Sequence, residues 1–257
     1  MTDLLVQQRQ DRIRQQLELE GRVLAADLAR TFLVSEDTIR RDLRDMAAAG
    51  LCQRVYGGAL PANATGAPFA ERVLADPERK RALAKEAATL IAPGSTLFID
   101  AGSTNLAIAA AIPDHAGLTV ATNTPLIAAA LMEKQDVQII LVGGQINRRV
   151  GAAVCTKALA DIERLNPDLC ILGACGVERD AGISAHDFED ASFKRAVALR
   201  SSTLIVAATN EKFGLRAPFG VVPLARCRHL IVEADAPEDE TLAIAALGVD
   251  VRRARAS

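Results

Sequence analysis

Five short stretches of small, hydroxylated and amide residues stand out from residue 100 onward: Asp100-Ala-Gly-Ser-Thr-Asn105, Thr122-Asn-Thr124, Gly143-Gly-Gln145, Gly173-Ala-Cys-Gly176 and Thr209-Asn-Glu-Lys-Phe-Gly214. Their residue types suit the capture of a small anion. Gly102, Ser103 and Thr104 open a helical pattern that continues through Asn105. Glycine there permits close approach, while two hydroxyls and the free N–H groups of a first helical turn donate to phosphate oxygens. Lys212 supplies positive charge. Asp100 cannot itself favour a phosphate, so its expected task is to accept hydrogen bonds from sugar hydroxyls or to hold the loop. The same residue types make ordinary turns and helix caps, and any one loop alone carries no more than that. Their recurrence after successive apolar runs is what points to a ligand.

A second constellation lies in Ser35-Glu-Asp-Thr-Ile-Arg-Arg-Asp-Leu-Arg44. Ser35 is a good N-cap, and Glu36 and Asp37 place negative charge at the positive end of the helix dipole. Ile39, Leu43 and Met46 fall at i, i+4 and i+7 and form a buried stripe. Thr38, Arg41, Arg44 and, further round, Arg40 then face away from it. Upstream, residues 23–32 predict a short helix with Leu24, Leu28 and Phe32 on one side and Leu33-Val34 in the turn. Two short helices and a tight turn suit a helix-turn-helix whose second helix enters a major groove of double-stranded DNA. A helix pair with a merely solvated charged face has the same periodicity. After Met46, a helix stop at Gly50, a short strand and a turn on Gly57-Gly58 read as the wing of a winged helix, with Arg54 directed toward a phosphate.

Other chemistry has little raw material. The five cysteines (Cys52, Cys155, Cys170, Cys175, Cys227) are odd in number and include no C-x-x-C pair, so neither a disulfide framework nor a zinc ribbon is expected. The three histidines are far apart, which disfavours metal clusters and a Ser/His/Asp triad. No metal, cofactor or catalytic residue is expected. Aromatic residues make up 3% of the chain, so base stacking is not expected. The first 60 residues hold nine Arg, no Lys and nine acidic residues, so DNA binding has to depend on where the arginines lie rather than on bulk charge. No stretch reaches the roughly 18 apolar residues of a membrane span, and residues 1–9 lack a signal-peptide core. The expectation is a cytoplasmic protein with no membrane partner.

The elements that must position these residues alternate along the chain. Residues 60–68 are small and turn-prone, with a proline near each end, and mark a linker. The expected organisation is a DNA-binding domain over 1–60, a linker over 61–76 and an effector-sensing domain over 77–257. A helical pattern runs from Phe69 to Ala92 around Asp76-Pro77 and is stopped by Pro93-Gly94. Apolar runs at 96–99, 118–121, 137–142, 169–172, 203–207 and 229–232 predict strands, with helices at 105–112, 125–134, 154–165 and 188–200. Near-continuous apolar strands separated by helices predict an α/β fold with a largely parallel sheet covered on both faces. Residues 249–257 add a possible edge strand. In such sheets the carboxyl ends of the strands, where the five loops fall, are where ligands bind.

Taken together, these residues resemble the DeoR-type bacterial transcriptional repressors. The resemblance is carried by Ile13 and Leu17, by Leu28-Ala-Arg-Thr-Phe32, by Val34-Ser-Glu-Asp-Thr-Ile-Arg-Arg-Asp-Leu43 and by Gly57-Gly-Ala59. It implies promoter binding by the first 60 or so residues, with Ser35, Thr38, Arg40, Arg41 and Arg44 at recognition positions. Tyr56 stands where the family usually has histidine. The resemblance extends to a sensor domain related in fold to ribose-5-phosphate isomerase and the coenzyme A transferases. Asp100, Gly102, Ser103, Thr104, Thr122, Asn123, Gly173, Cys175, Gly176 and Lys212 match its phosphosugar-binding loops, while Glu189 and Lys194 match its Glu-to-Lys helix. Two departures concern the effector: Thr209-Asn-Glu-Lys212 lacks the family's common Asp, and Cys175 replaces an acidic or amide side chain. The implied function is a homo-oligomeric repressor of carbohydrate metabolism genes, released by a phosphorylated sugar or similar small anion. The alternative is a sugar-phosphate isomerase or transferase fused to a DNA-binding module, which would need a carboxylate to move a proton.

Overall fold

The computed structural model describes residues 6–20, 23–55, 57–61 and 68–255. The chain forms two compact units, Met1–Ala67 and Pro68–Ser257.

In the first unit, α1 (Val6–Glu20) buries Arg9, Ile13 and Leu17 at i, i+4 and i+8. Next come β1 (Val23–Leu24), α2 (Ala25–Phe32), α3 (Glu36–Ala48), β2 (Cys52–Val55) and β3 (Gly58–Pro61). The helix predicted from Val23 starts at Ala25 instead. Val23 and Leu24 pair with Ala59 and Gly58, so the wing satisfies their backbone and a three-stranded antiparallel sheet closes in the order β1-β3-β2. Leu33 ends α2 in the left-handed region at φ 55, its N–H bonded to the Ala29 carbonyl. Ile13, Leu17, Leu28, Ile39, Leu43 and Met46 form the core. A bidentate ion pair joins α1 to α3: Arg9 Nε lies 2.5 Å from Asp42 Oδ2, and Arg9 Nη2 lies 3.1 Å from Asp42 Oδ1. Tyr56 falls outside the described residues.

The second unit opens with α4 (Phe69–Leu74) and α5 (Pro77–Ala88). Residues 69–74 are helical, as the pattern from Phe69 predicts, although they fall within the bounds expected for the linker, and Phe69 is buried. The unit continues through β4 (Thr96–Ile99), α6 (Ser103–Ala111), β5 (Leu118–Thr122), α7 (Pro125–Leu131) and β6 (Val137–Leu141). A small hairpin of β7 (Ile146–Asn147) and β8 (Ala152–Ala153) leads into α8 (Thr156–Ile162) and β9 (Leu169–Leu172). Then follow β10 (Gly176–Glu178), β11 (Gly182–Ala185), α9 (Phe188–Arg200), β12 (Thr203–Ala207) and β13 (Phe219–Val222). The last elements are β14 (His229–Val232), α10 (Glu238–Ala245) and β15 (Asp250–Arg253).

All six predicted strands, and the tail strand β15, lie in one seven-stranded sheet of order β15-β14-β12-β9-β4-β5-β6, and every pair in it is parallel. Side chains alternate between two cores. Leu97, Ile99, Ile171, Ile205 and Ile231 face α5, α6 and α7, while Phe98, Cys170, Leu172, Val206 and Val232 pack against α8 and α9. One edge strand, β15, carries Asp250, Arg252 and Arg253; the other, β6, leaves Ile140 and Leu141 36% and 50% exposed. The chain winds outward from β4 to β6, returns to β9 on the other side of β4, and winds outward again. The order thus reverses between β4 and β9, and the crevice beyond such a reversal is where open α/β sheets bind ligands. The sequence reading did not include β10, β11 and β13, which form a second, antiparallel sheet in the order β10-β11-β13.

Candidate functional site

The first unit presents a basic face on α3. Ser35 caps the helix: its Oγ accepts from Thr38 N at 3.2 Å and lies 2.9 Å from Thr38 Oγ1. Ile39, Leu43 and Met46 are buried, while Arg40, Arg41 and Arg44 are exposed. Arg40 is already paired with Glu36 at 2.7 Å and Asp37 at 3.3 Å. Exposed pairs at this spacing contribute about 0.3–0.5 kcal/mol, so a phosphate can displace them. Arg54 is exposed on β2, opposite Ala59 of β3.

In the second unit, the five loops follow β4, β5, β6, β9 and β12 at one end of the parallel sheet. Asp100, at the end of β4, is fully buried; its Oδ2 accepts from Gly173 N at 2.9 Å and from Lys194 Nζ at 3.0 Å. Gly173 sits beyond β9, on the far side of the reversal, and an added Cβ there would meet Ala101 O at 2.3 Å and Asp100 Oδ2 at 2.9 Å. Only glycine lets the two loops approach this closely. Lys194 also contacts Asp190 Oδ1 at 2.5 Å, and both of those side chains are buried. Burial pushes the Asp100 carboxyl up against the pull of Lys194. Burial also works against the Lys194 charge, but the two carboxylates outweigh it and raise its pKa.

Two expected site residues are placed differently. Glu189 is exposed on α9 and does not meet Lys194. Five residues of helix turn a side chain about 140° away from its starting direction, whereas four bring it back to within about 40°. The buried carboxylate is therefore Asp190, four residues before Lys194, and that spacing was readable in the sequence. Asn105 donates from Nδ2 to the carbonyls of Asp100 at 2.8 Å and Ile171 at 3.2 Å, so it ties the β4 and β9 loops together as a positioning residue.

The remaining residues gather along the same edge. Gly102 precedes α6, Ser103 is half-buried, and Thr104 is buried. Thr122 Oγ1 accepts from Thr124 N at 3.3 Å, and Asn123 Nδ2 donates to Ala153 O at 3.2 Å. Cys175 is half-buried, its N–H bonded to Ser184 O at 3.0 Å, and Gly176 begins β10. Burial pushes the Lys212 ammonium down, and Arg72 and Lys80 add to this while Cys175 and Glu211 oppose it. His186, beyond β11, is lowered to about 4 by burial and by the charges of Arg149, Arg72 and Lys212. Asp100 Oδ1, Asn123 Oδ1, Thr124 Oγ1, His186 Nδ1 and Asn210 Oδ1 are buried without a hydrogen-bond partner in the protein. Such atoms cost about 1–3 kcal/mol each when unpaired. A cavity of about 380 Å³ runs between α4–α5 and α6, with Lys80 and Ser103 on its wall beside Val73, Leu106 and Ala107. Sequence reasoning missed His186, Thr124, Asn210 and the basic residues Arg72, Lys80 and Arg149; of these, Thr124 and Asn210 lie in loops singled out from the sequence.

Among the described residues no three His, Cys, Asp or Glu side chains cluster to hold a metal ion, and no helix is long and apolar enough to cross a membrane. Residues 9–65 match the family model described as the DeoR-like helix-turn-helix domain, and residues 75–234 match that of the DeoR C terminal sensor domain. The chain is 33% identical over 231 residues to the glycerol-3-phosphate regulon repressor of Escherichia coli (strain K12), covering 90% of this chain and 92% of the relative. It is 30% identical over 210 residues to the HTH-type transcriptional regulator GolR of Listeria innocua serovar 6a, covering 81% and 83%. The full-length sorbitol operon regulator SorC from Klebsiella pneumoniae overlays with a TM-score of 0.42 at 11% identity, over 93% of this chain and 98% of that one. With both of its units matched, and a relative at this identity spanning nine-tenths of its length, the chain belongs to the DeoR family of transcriptional repressors.

Proposed function

We propose that residues 1–60 bind double-stranded operator DNA as part of a homo-oligomer, and that residues 77–257 release it when a phosphorylated sugar or similar small anionic metabolite binds at the sheet edge. The carrying observation is a site with two unlike halves. Lys212 and its basic neighbours supply positive potential, while Asp100 Oδ1, Asn123 Oδ1 and Thr124 Oγ1 are buried oxygens that lack a donor. Inorganic phosphate satisfies only the first half; a polyhydroxylated phosphate ester satisfies both. Gly102, Ser103, Thr104, Thr122, Gly173, Cys175 and Gly176 frame this pocket. Asp100 and Lys194 underlie it. In this reading the protein is a cytoplasmic regulator and not an enzyme; the buried carboxylates Asp100 and Asp190 are both held on Lys194, which leaves neither as a free base for proton transfer.

Glycerol 3-phosphate is the first compound to test, since the Escherichia coli relative is named for it. Added to the protein–operator complex in a mobility-shift titration, it or another phosphorylated sugar is expected to release the DNA and to emerge chemically unchanged by NMR. Thr104→Val, which removes a buried hydroxyl, is expected to raise the concentration needed by about tenfold. Release by the variant at the wild-type concentration would place the ligand elsewhere, and turnover abolished by Asp100→Asn would establish the isomerase reading.

On the DNA side, Ser35, Thr38, Arg40, Arg41, Arg44 and Arg54 form the interface. Arg41→Ala is expected to cost about 1–3 kcal/mol of operator affinity, concentrated at one base pair if the guanidinium reads guanine. An even loss across sequences with a shallower salt dependence would assign it to phosphate instead. Unchanged binding removes it from the interface.

His186 gives a titration test. With its pKa lowered to about 4 in the folded chain, the unfolded state binds a proton that the folded state refuses as the pH falls below about 6.5. Stability therefore decreases on acidification through that window. An anion bound nearby reverses the cause, so the His186 midpoint followed by NMR is expected to rise when glycerol 3-phosphate is added. A midpoint that stays put would show that the anion does not bind beside it.

A further inference from the structure

Apart from Lys212 itself, the basic groups that act on Lys212 and His186 come from outside the sheet-edge loops. Phe69, in the first turn of α4, is buried against the β7–β8 hairpin, where a Cβ on Gly151 would fall 2.4 Å from the ring. Arg72 lies over that ring, 5.4 Å from its centroid, a cation–π arrangement that fixes the side chain. Its Nη2 reaches the carbonyls of Arg149 at 3.4 Å and Val150 at 3.5 Å. From α5, Lys80 Nζ donates to the carbonyls of Arg72 at 2.5 Å and of Ala75. These contacts hold α4, the start of α5 and the hairpin together as one wall. The wall is tied to the sheet edge by its own contacts: Asn123 Nδ2 donates to Ala153 O of the hairpin at 3.2 Å, Asn147 Nδ2 of the hairpin donates to Asp187 Oδ2, next to His186, at 3.3 Å, and Arg79 Nη2 of α5 lies 3.1 Å from Glu211 Oε2, next to Lys212. In keeping with this placement, the charge of Arg72 acts on both Lys212 and His186, and that of Arg149 acts on His186. Like charges gathered on one pocket repel one another, and an anion between them turns that repulsion into attraction.

Resting on the anion-pocket reading above, we propose that Arg72 and Arg149 bind the anionic group of the effector together with Lys212, so that α4, the helix following the linker, is itself a ligand-binding element. The planar guanidinium suits this task because it offers two parallel donors to a phosphate, which an ammonium cannot do. Occupancy of the pocket then bears directly on α4.

Calorimetric titration of the full-length chain with glycerol 3-phosphate, and separately with inorganic phosphate, tests this. Arg72→Ala and Arg149→Ala are each expected to weaken glycerol 3-phosphate binding about tenfold to a hundredfold, as for a charged hydrogen bond. Arg72→Lys, which keeps the charge and loses the fork, is expected to fall between wild type and Arg72→Ala, a graded order that a merely structural role would not produce. Unfolding temperatures without ligand identify any variant that weakens binding by failing to fold, and Arg149→Ala provides an independent reading on the hairpin. Wild-type affinity in both alanine variants, with loss in Lys212→Ala, overturns the proposal and leaves the pocket standing. Wild-type affinity in all three, or no binding of either compound by the wild-type chain, overturns the pocket and the proposal together.

Discussion

Asp42→Ala is expected to unfold the DNA-binding unit while leaving the second unit folded. Arg9 and Asp42 are 6% and 3% exposed and meet in a bidentate pair across 33 residues of sequence. Removing one member leaves a guanidinium buried without its carboxylate, which costs about 3–5 kcal/mol. A unit of some 60 residues has a small core and little stability in reserve. The loss is therefore comparable with all the stability this unit has. Calorimetry of the full chain is expected to lose its DNA-binding-unit transition and keep the other, and operator binding is expected to vanish. Asp42→Leu combined with Arg9→Met is expected to restore folding, since a buried pair replaced by apolar residues of similar size is often neutral or better. Wild-type unfolding and operator affinity in Asp42→Ala would show that the pair carries no stability.

Lys194→Met is expected to have the corresponding effect in the second unit. Its ammonium serves Asp100 at 3.0 Å and Asp190 at 2.5 Å, all three side chains being at most 5% exposed. Without it two carboxylates face each other in the core, again at about 3–5 kcal/mol. The sign of the pH dependence separates this from simple loss of packing. Burial already pushes Asp100 up, and the variant raises it further, so the folded state holds protons that the unfolded chain has released above about pH 4. Stability of Lys194→Met should thus increase as the pH falls from 8 toward 5. Thermal melts across that range that follow the wild-type trend would refute the assignment. Adding Asp190→Asn is expected to recover part of the loss.

The parallel sheet was legible because its strands are buried on both faces, and such strands are apolar without interruption. Thr203–Ala207 and His229–Val232 need no partner information to be recognised. The recognition helix was legible because a cap, a charged first turn and a stripe agree. Val23–Leu24 was not, since two residues carry no periodicity and their strand state is imposed by pairing with Ala59 and Gly58. Gly176–Glu178 and Gly182–Ala185 depend likewise on Phe219–Val222, a partner distant in sequence. The carboxyl-edge loops could be located from the chain, but the strand order that sets Asp100 beside Gly173 could not. The resemblance points to Glu189, where helical spacing alone favours Asp190 as the partner of Lys194. Arg72, Arg149 and His186 are single residues in unremarkable surroundings, and only tertiary structure collects them.

The two edges of the large sheet differ in a way that bears on assembly. A strand edge with free backbone groups and apolar side chains adds further strands, whereas charged residues resist such addition. Here β15 ends the sheet with Asp250, Arg252 and Arg253, while β6 ends it with exposed Ile140 and Leu141. Joining of two copies edge to edge through β6 would consume that border in each and close after two. A sheet permissive at both borders would propagate without limit. The charged side chains of β15 thus leave this sheet without the second border that a fibre needs.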